Sequence, residues 1–342
     1  MSSVDVIVPC YNYARFLPVC VDSILGQQGV AVRVLVLDDA STDDSEQVGR
    51  GLAERDGRLE YRRHLSNQGH IATYNEGIAW LASDYALLLS ADDLLTPGAL
   101  ARAAAVMDSR PDVGLVYGRA IMTSDPSRHA PRTPEPSQTA VLAGLELVEA
   151  FCAWGGNRVP TQTAVVRSSV QREVGGYRPE LPHSGDMDMW LRIAARHAVG
   201  VVAADQAFYR IHPSNMHRRY VSAVLDDLDE YRRTFEGFFA REGRALPEAE
   251  RLLGLALENL ARRTLWKAST LLDEGDTAGY AALLAFAARL SPPIRRDPLW
   301  RRVRLKRATR PVWSMIRAAL RRHHEPSDEA AGWSRIGLFP EM

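Results

Sequence analysis

The chain has 342 residues, of which 46% are hydrophobic and 25% are charged. This length exceeds that of one typical domain, so we expect one large α/β domain with an appendage. Basic and acidic residues balance at 42 each. The balance excludes a whole-molecule electrostatic field that attracts nucleic acid or anionic lipid, so any such attraction must be local.

The cysteines and the apolar segments predict a cellular compartment. The chain has three cysteines, Cys10, Cys20 and Cys152, and no two of them are spaced as a CxxC pair. This favours buried thiols in a reducing environment. The N-terminus leads directly into an apolar strand pattern and carries no secretory signal. No apolar run approaches the ~20 residues of a membrane-spanning helix. We therefore expect a cytoplasmic protein, which can also be peripheral at the inner face of the membrane.

Strands and helices are predicted to alternate through the first part of the chain. Apolar runs predict strands at 4–9, 32–37, 85–89 and 113–117, and apolar periodicity predicts helices at 16–25 and 71–81. Further helices should follow Ser41 and begin at Thr96, with Thr96 as the N-cap and Pro97 in the first turn. Such alternation indicates βαβ units and a mostly parallel sheet.

The pattern changes in two later regions. Residues 123–139 carry four prolines without apolar periodicity, which predicts an exposed loop. Beyond residue 218 the alternation stops, and amphipathic helices are predicted at 221–239, 252–272 and 280–290. The tail is therefore expected to be a helical appendage.

Two pairs of carboxylates follow predicted strands, at the sheet edge where open α/β sheets bind ligands. Asp38-Asp39 follows one strand, and Asp39 is interpreted either as a helix cap or as an acceptor from a nucleobase N–H or a ribose hydroxyl. Asp92-Asp93 follows another strand and suits a hard divalent cation such as Mg²⁺ or Mn²⁺. The alternative for this pair is a capping turn, although Thr96 already fills that role.

Two further residues are candidates for chemistry. Asp186 is predicted near a helix N-terminus, where the helix dipole favours the ionised form that a general base requires. A capping role is the alternative. His212 follows a predicted strand at 199–203 and is either a metal or phosphate ligand or an ordinary packed or solvated histidine. The sequence lacks the motifs of common serine hydrolases, P-loop enzymes and Rossmann dehydrogenases.

Six short motifs occur in one order over residues 4–215. They are Val6-Ile7-Val8-Pro9-Cys10-Tyr11-Asn12, Asp38-Asp39-Ala40-Ser41-Thr42-Asp43, Asn67-Gln68-Gly69, Asn75-Glu76-Gly77, Ser90-Ala91-Asp92-Asp93 and Gly185-Asp186-Met187-Asp188-Met189-Trp190. Each motif alone is weak. Together, in this order and spacing, they resemble glycosyltransferase family 2.

The resemblance implies a GT-A fold with a mostly parallel central sheet flanked by helices, followed here by the helical appendage. It implies an inverting transfer of sugar from a nucleotide diphosphate sugar, with UDP favoured, to a hydroxyl acceptor. The expected acceptor is a sugar, or a lipid-linked acceptor if the basic tail described below contacts a membrane. The expected setting is polysaccharide or glycoconjugate synthesis, and the expected cofactor is Mg²⁺ or Mn²⁺. On matching positions, the implied site residues are Pro9, Tyr11 and Asp39 for the nucleoside, Asp92 and Asp93 for metal and diphosphate, Asp186 as base, and His212 to complete the metal or diphosphate site.

The resemblance over residues 4–215 and the change of pattern beyond residue 218 together predict a division of the chain. Residues 1–217 would form the catalytic domain, with the nucleotide sugar bound by 1–117 and the acceptor and base in 118–217. Residues 218–342 would form the helical region. The chain departs from the family pattern at two positions. At Ser90 the family often has Asp, and at Gly185 it usually has Glu. The first departure leaves the metal ligand open between Asp92 and Asp93. The second keeps a non-catalytic sugar-nucleotide or membrane-surface binding protein as the alternative.

Residues 295–322 form a basic tail with eleven Lys or Arg residues and one acidic residue, Asp297. Apolar residues at 299, 303, 312, 313, 316 and 320 recur at roughly helical spacing, and Pro311 is expected to break or kink the helix. Such a segment suits peripheral contact with an anionic membrane. The alternative is an apolar stripe that packs on the catalytic domain. Nucleic acid is not an expected partner, because no recognition motif accompanies the charge.

Overall fold

The computed structural model describes residues 1–132, 138–215, 224–320 and 335–336. These residues divide between two compact units. The first unit takes in the described parts of 1–149, 157–215 and 334–342, and the second takes in those of 150–156 and 216–333. The first is an α/β unit built on a sheet, and the second is helical.

In the first unit the described residues form a ten-stranded sheet with the order β3-β2-β1-β4-β8-β6-β9-β5, in which β10 pairs with β6 and β7 pairs with β9. The strands are β1 (Ser3–Cys10), β2 (Ala31–Asp38), β3 (Leu59–Arg63), β4 (Tyr85–Leu88), β5 (Leu94–Leu95), β6 (Val113–Thr123), β7 (Thr139–Leu142), β8 (Val165–Arg167), β9 (Ala198–Arg210) and β10 (Arg335–Ile336). The helices are α1 (Leu17–Leu25), α2 (Ser45–Arg55), α3 (His70–Trp80), α4 (Ala99–Ser109), α5 (Gly144–Trp154), which continues into the second unit, α6 (Ser168–Val174) and α7 (Gly185–Ala194).

The half of the sheet formed by β3, β2, β1 and β4 is parallel, as predicted. Strands β1, β2 and β4 are largely buried apolar runs because helices cover the sheet faces, whereas the edge strand β3 is mostly exposed. In the β1–β2 register Cys10 lies opposite Asp38, so both strands end at the same edge. The predicted α/β class with a central sheet flanked by helices is therefore confirmed.

The other half of the sheet is mixed. Strand β8 is antiparallel to β4 and β6, and β5 and β7 are antiparallel to β9, whereas β6 and β9 run parallel. The predicted strands at 113–117 and 199–203 are parts of the longer strands β6 and β9. Between these strands, Pro126–Arg128 forms a 3-10 turn in the predicted loop, and 133–137 lie outside the described residues.

The predicted cap at Thr96 is wrong. Helix α4 begins at Ala99, and the residue before it is Gly98, which has a φ of 73° in the left-handed region that glycine favours. The Thr96 hydroxyl instead donates to the Asp205 carbonyl over 2.7 Å and anchors strand β9. The reason is tertiary, since the partner lies 109 residues along the chain.

The second unit contains α8 (Val224–Ala240), α9 (Ala249–Glu274), α10 (Thr277–Leu290) and α11 (Pro298–Leu320). Residues 221–223 and 321–322 of the predicted helices lie outside the described residues. Helix α11 continues through Pro311, so of the two expected outcomes at this proline, a break or a kink, the break does not occur. In the first half of α11, Val303 is buried, and Leu299 and Trp300 pack against the core of this unit. No helix among the described residues has the length and hydrophobicity needed to cross a membrane.

Candidate functional site

The edge where β1 and β2 end carries the predicted nucleoside residues. The Asp39 amide donates to the Cys10 carbonyl over 2.9 Å, which holds the loops after the two strands together. Pro9 lies near the end of β1 and is partly exposed, and Tyr11 directly follows β1 with 40% of its surface exposed. Asn12 and Ala40 adopt left-handed φ values of 59° and 58° in the two loops. This edge therefore combines an exposed aromatic ring with a carboxylate.

Asp39 is a buried residue whose carboxylate is largely engaged. Its Oδ1 accepts the Gln68 amide at 2.7 Å and its Oδ2 accepts the Gly69 amide at 2.9 Å. Oδ1 also lies 2.7 Å from Nδ1 of His64. Helix α2 begins six residues later at Ser45, so Asp39 is not its cap. A carboxylate offers about four acceptor positions, so one position, on Oδ2, remains for a ligand.

His64 is a site residue that the sequence analysis missed. It follows β3 directly, its side chain is buried, and its Nε2 lies 3.0 Å from Oε2 of Glu76 on helix α3. Burial alone would lower the pKa of His64, but the hydrogen bonds to Asp39 and then to Glu76 outweigh it and raise the pKa. Neither the strand before it nor any motif in this segment was predicted from the sequence, so no local pattern marked His64.

The other residues of the Asn75-Glu76-Gly77 motif have structural roles. Asn75 Nδ2 donates to the Tyr177 carbonyl at 2.9 Å, and Asn75 Oδ1 accepts the Tyr177 amide at 2.7 Å. This pair of bonds fixes the loop that precedes α7. A Cβ on Gly77 would overlap the Ile7 side chain of β1, so a larger residue here would force Ile7 or helix α3 to shift.

Asp92 and Asp93 follow β4 and are both buried. The antiparallel pairing of β5 with β9 brings the end of β9 beside them. Asp93 Oδ1 accepts the Arg210 amide at 2.9 Å, and the Arg210 Nε donates to the Asp92 carbonyl at 3.0 Å. Oδ2 of Asp92 contacts His212 Nε2 at 2.9 Å and Asn215 Nδ2 at 3.2 Å. The structure therefore brings together the three residues predicted for the metal site.

The protonation of His212 follows from its contacts. Its Nδ1 accepts the Ser214 amide at 3.2 Å, so Nε2 carries the proton and donates to Asp92. The ring also packs against Tyr13 and Phe16, with centroid distances of 5.6 and 4.6 Å. Both ring nitrogens are thus engaged, and in this structure His212 orients the Asp92 carboxylate.

The charge of the Asp92–Asp93 pair fits a divalent cation. Burial, followed by the neighbouring Asp92 carboxylate, raises the pKa of Asp93 well above its usual range, and the contact with Arg210 only partly opposes this. Two adjacent buried carboxylates are costly without a compensating positive charge. Within the described residues, no three His, Cys, Asp or Glu side chains are placed to hold a metal by themselves. The donor set therefore suits Mg²⁺ or Mn²⁺ that keeps waters and shares ligand phosphates.

Asp186 lies at the second position of α7, as predicted, and stays partly exposed. Its Oδ2 accepts the Thr161 hydroxyl at 2.7 Å and Asn157 Nδ2 at 2.9 Å, and its Oδ1 accepts the Met187 amide at 2.7 Å. Its surroundings raise its pKa, chiefly through desolvation, and the Thr161 hydrogen bond opposes the shift. Asp186 can therefore both contact solvent and act as a stronger base than an ordinary aspartate.

Sequence analysis did not identify Asn157 and Thr161, because the segment before the short strand β8 carries no motif. The carbonyl of the Asn157 side chain accepts the Val159 amide at 2.9 Å, so its NH₂ group faces Asp186. Beside Asp186, a Cβ on Gly185 would lie 3.2 Å from the Tyr177 ring. The position where the family usually has Glu is thus packed against an aromatic side chain.

Comparison with known proteins identifies the class of enzyme. Residues 5–163 match the family model described as Glycosyl transferase family 2. The chain is a glycosyltransferase, and its residues 5–163 are similar to this family. It is 28% identical over 227 residues to an uncharacterized glycosyltransferase of Nostoc sp., covering 65% of this chain and 69% of the relative. The resemblance predicted from the six motifs is confirmed.

Two solved glycosyltransferases share the fold. S. aureus TarS 1-349 in complex with UDP-GlcNAc aligns with a TM-score of 0.61 and 16% identity, over 89% of this chain and 88% of that one. The mannosyltransferase PcManGT of Pyrobaculum calidifontis, in complex with GDP-Man and Mn²⁺, aligns with a TM-score of 0.53 and 18% identity, over 89% and 86%. At these identities the likeness shows the fold, which is the GT-A type predicted for this glycosyltransferase.

Proposed function

We propose that this glycosyltransferase moves a sugar from a nucleoside diphosphate sugar to an acceptor hydroxyl, with inversion at the anomeric carbon. The observation that carries the proposal is Asp186, a partly exposed carboxylate with a raised pKa that is oriented by Thr161 and Asn157. The transfer also requires a positive charge that balances the diphosphate, and the Asp92–Asp93 pair is suited to hold such a cation. Synthesis of a polysaccharide or glycoconjugate is the setting that fits such a transfer.

The nucleoside is proposed to bind where β1 and β2 end. Tyr11 offers an exposed ring that a base can stack against, Pro9 lies two residues before it in the chain, and Asp39 offers its remaining acceptor position. One acceptor position matches a base with a single N–H at its recognition edge, such as uracil, better than guanine with its adjacent N–H and NH₂. A UDP-sugar is therefore our proposed donor.

Asp92 and Asp93 are proposed to hold Mg²⁺ or Mn²⁺, with His212 fixing the orientation of Asp92 through their 2.9 Å contact. When bound, the cation would neutralise negative charge that develops on the leaving diphosphate. Arg210 lies beside the same carboxylates and adds positive charge to this part of the domain.

Asp186 is proposed to act as the general base. As the acceptor oxygen forms its bond to the anomeric carbon, the bond from that carbon to the diphosphate oxygen breaks, and the hydroxyl proton passes to Asp186. A single displacement from the opposite face inverts the configuration and needs no covalent intermediate. The donors on Oδ2 leave Oδ1 as the oxygen with a free acceptor position for this proton.

A peripheral membrane position is proposed for the basic segment. Since Leu299, Trp300 and Val303 pack within the helical unit, contact with lipid would rest on exposed arginines rather than on these apolar side chains. Arg301, Arg302 and Arg304 are exposed, as is Leu305 with 64% of its surface accessible. This arrangement supports a cytoplasmic enzyme that meets a lipid-linked acceptor at the inner face of the membrane.

The experiment that tests the proposed function is a thermal-shift comparison of UDP, GDP and dTDP with the full chain, with and without Mn²⁺. A ligand at 100 times its Kd stabilises the folded state by about 2.7 kcal/mol, so donors of differing affinity separate clearly. We expect the largest shift with UDP and Mn²⁺ together. The absence of a shift with all three nucleotides would contradict the proposal, and a larger shift with GDP would overturn the choice of uracil.

A further inference from the structure

His64 connects two acidic side chains that are far apart in the chain. Its backbone amide donates to the Asp38 carbonyl over 2.8 Å, which extends the β2–β3 pairing by one residue. Its imidazole then lies between Asp39, at 2.7 Å from Nδ1, and Glu76, at 3.0 Å from Nε2. The His64 side chain is 94% buried, whereas the Glu76 side chain is 39% exposed.

The two contacts require a particular protonation state. A carboxylate only accepts hydrogen bonds, so an imidazole between two carboxylates satisfies both only when both ring nitrogens carry a proton. The raised pKa of His64 agrees with this geometry. Two charged residues adjoin the His64 backbone, Asp38 across the β2–β3 pairing and Arg63 in the chain. Asp38 accepts the Tyr61 hydroxyl at 2.6 Å, and Arg63 lies 3.6 Å from Asp38.

We propose that His64 and Glu76 are positioning residues for nucleotide binding, in which the charged imidazole bridges Glu76 to Asp39 and holds the Asp39 carboxylate ready for the nucleoside. This inference rests on the proposed role of Asp39. When the ring loses a proton, it can donate to only one of the two carboxylates, and the other contact becomes a repulsion between acceptors. Nucleotide affinity should therefore be highest when His64 is charged, and should fall as the pH rises through the pKa of His64.

Glu76→Gln separates positioning from simple packing. The glutamine NH₂ can donate to Nε2 of a neutral ring, which leaves Nδ1 protonated and directed at Asp39. The contact with Asp39 then survives loss of the charge. This variant should also lower the pKa of His64, because a negative partner has been removed.

The test is the affinity for UDP, measured by calorimetry from about pH 6 to about pH 9, a range that brackets the ordinary and raised pKa of histidine. Wild type, Glu76→Gln, His64→Phe and a control, Glu54→Gln, are compared as full chains at constant Mg²⁺. Glu54 is exposed on α2, and its substitution removes the same charge. Ratios between variants and wild type cancel the titration of the UDP phosphates.

The wild type and Glu54→Gln should lose about tenfold in affinity across the range, the value of one broken hydrogen bond to a charged group. Glu76→Gln should have a nearly constant affinity. The His64 imidazole signals in the NMR spectrum are assigned by their absence in His64→Phe, and they should titrate at lower pH in Glu76→Gln than in the wild type. The same pH dependence in wild type, Glu76→Gln and His64→Phe would overturn the inference and leave the proposed function standing. Absence of UDP binding at every pH, together with the absence of a thermal shift with GDP and dTDP, would overturn the proposed function, and the inference with it.

Discussion

The Thr161 hydroxyl donates to Oδ2 of Asp186 over 2.7 Å, although the two residues are 25 positions apart in the chain. Thr161 opens a 3-10 turn that ends at Thr163, and the Thr163 hydroxyl contacts both the amide and the carbonyl of Gly118 in β6. The donor to Asp186 is therefore anchored to the central sheet. This anchoring fixes one oxygen of the carboxylate and leaves the other to meet an acceptor.

Thr161→Val should raise the pKa of Asp186, because the lost hydrogen bond stabilised the charged form. Asp186 acts as a base only when its carboxylate is ionised, so activity should rise as the pH increases through the pKa of Asp186. The acid limb of the pH–rate profile should thus move to higher pH in the valine variant, by about one pH unit for a hydrogen bond of ~1.4 kcal/mol.

The matched control for this prediction is Thr161→Ser, which retains the hydroxyl and should retain the wild-type profile. The measurement is the rate of nucleoside diphosphate release from the sugar donor as a function of pH. An acid limb at the same pH in the valine variant and wild type would show that Thr161 does not set the pKa of the base.

Asp93→Asn should weaken metal-dependent nucleotide binding. The amide retains the size of the carboxylate but removes one of the two charges that are proposed to hold Mn²⁺. We expect at least about a tenfold loss in the Mn²⁺-dependent part of UDP affinity, as expected for losing one contact of ~1.4 kcal/mol with a charged group.

Titration calorimetry with and without EDTA checks the metal prediction. Asp112→Asn is the control, because Asp112 is exposed and paired only with the neighbouring Arg110 in the contacts described for it. If EDTA left the UDP affinity of the wild type unchanged, the proposed role of the metal in nucleotide binding would be contradicted.

Sequence reasoning located the carboxylates well because each follows a strong buried strand, and parallel strands end at a common edge. It could not assign their different roles. Asp38 and Asp39 are neighbours, yet Asp38 accepts the Ser41 amide at 2.8 Å and the Tyr61 hydroxyl at 2.6 Å. Asp39 instead binds the loop at 68–69. Such partners are set by tertiary packing, which local patterns do not encode.

Gly77→Ala should destabilise the protein by about 1–3 kcal/mol, because the new methyl group would overlap the side chain of Ile7 in the core. Gly51→Ala is a matched substitution in helix α2, where an added Cβ meets no atom within 4 Å. It should stabilise the protein by about 0.5–1 kcal/mol through its helix propensity.

Urea denaturation of both variants, monitored by circular dichroism, tests this pair. The opposite signs of the two changes are the essential result. If Gly77→Ala were as stable as Gly51→Ala, helix α3 would not pack against β1 as closely as described.

Replacing Arg301, Arg302 and Arg304 by glutamine should reduce binding to anionic vesicles without unfolding the helical unit, since all three side chains are exposed. Each basic residue near an anionic surface contributes about 1 kcal/mol, so the triple variant should lose about 3 kcal/mol of binding. Truncation is a poorer test, because it would also remove the buried Ile294 and Val303.

Co-sedimentation with phosphatidylserine vesicles at low and high salt is the measurement for the basic segment. Arg50, Arg55 and Arg62, which are exposed in the first unit, provide a charge-matched triple variant as control. Equal sedimentation of the two triple variants, or none by the wild type at low salt, would exclude the membrane role.

The helical tail shows where a pattern predicted the element but not its partner. The periodicity of residues 299 and 303 correctly indicated an apolar helix face. That face packs in the core of the helical unit, whereas the sequence alternatives were a membrane surface or the catalytic domain. Helix α11 also continues through Pro311, because a proline removes one backbone hydrogen bond from a helix without always ending it. Which surface an amphipathic helix covers depends on the whole fold.

The most direct test of the account is turnover by Asp186→Asn compared with wild type. The assay is release of nucleoside diphosphate from a sugar donor that carries the nucleotide giving the largest thermal shift, with Mn²⁺ present and water as the acceptor. The asparagine occupies the same space but cannot take the proton, so the rate should fall about 10²-fold or more while donor affinity stays within about twofold. Retention of more than about a tenth of the wild-type rate, with donor affinity unchanged, would contradict Asp186 as the base of sugar transfer.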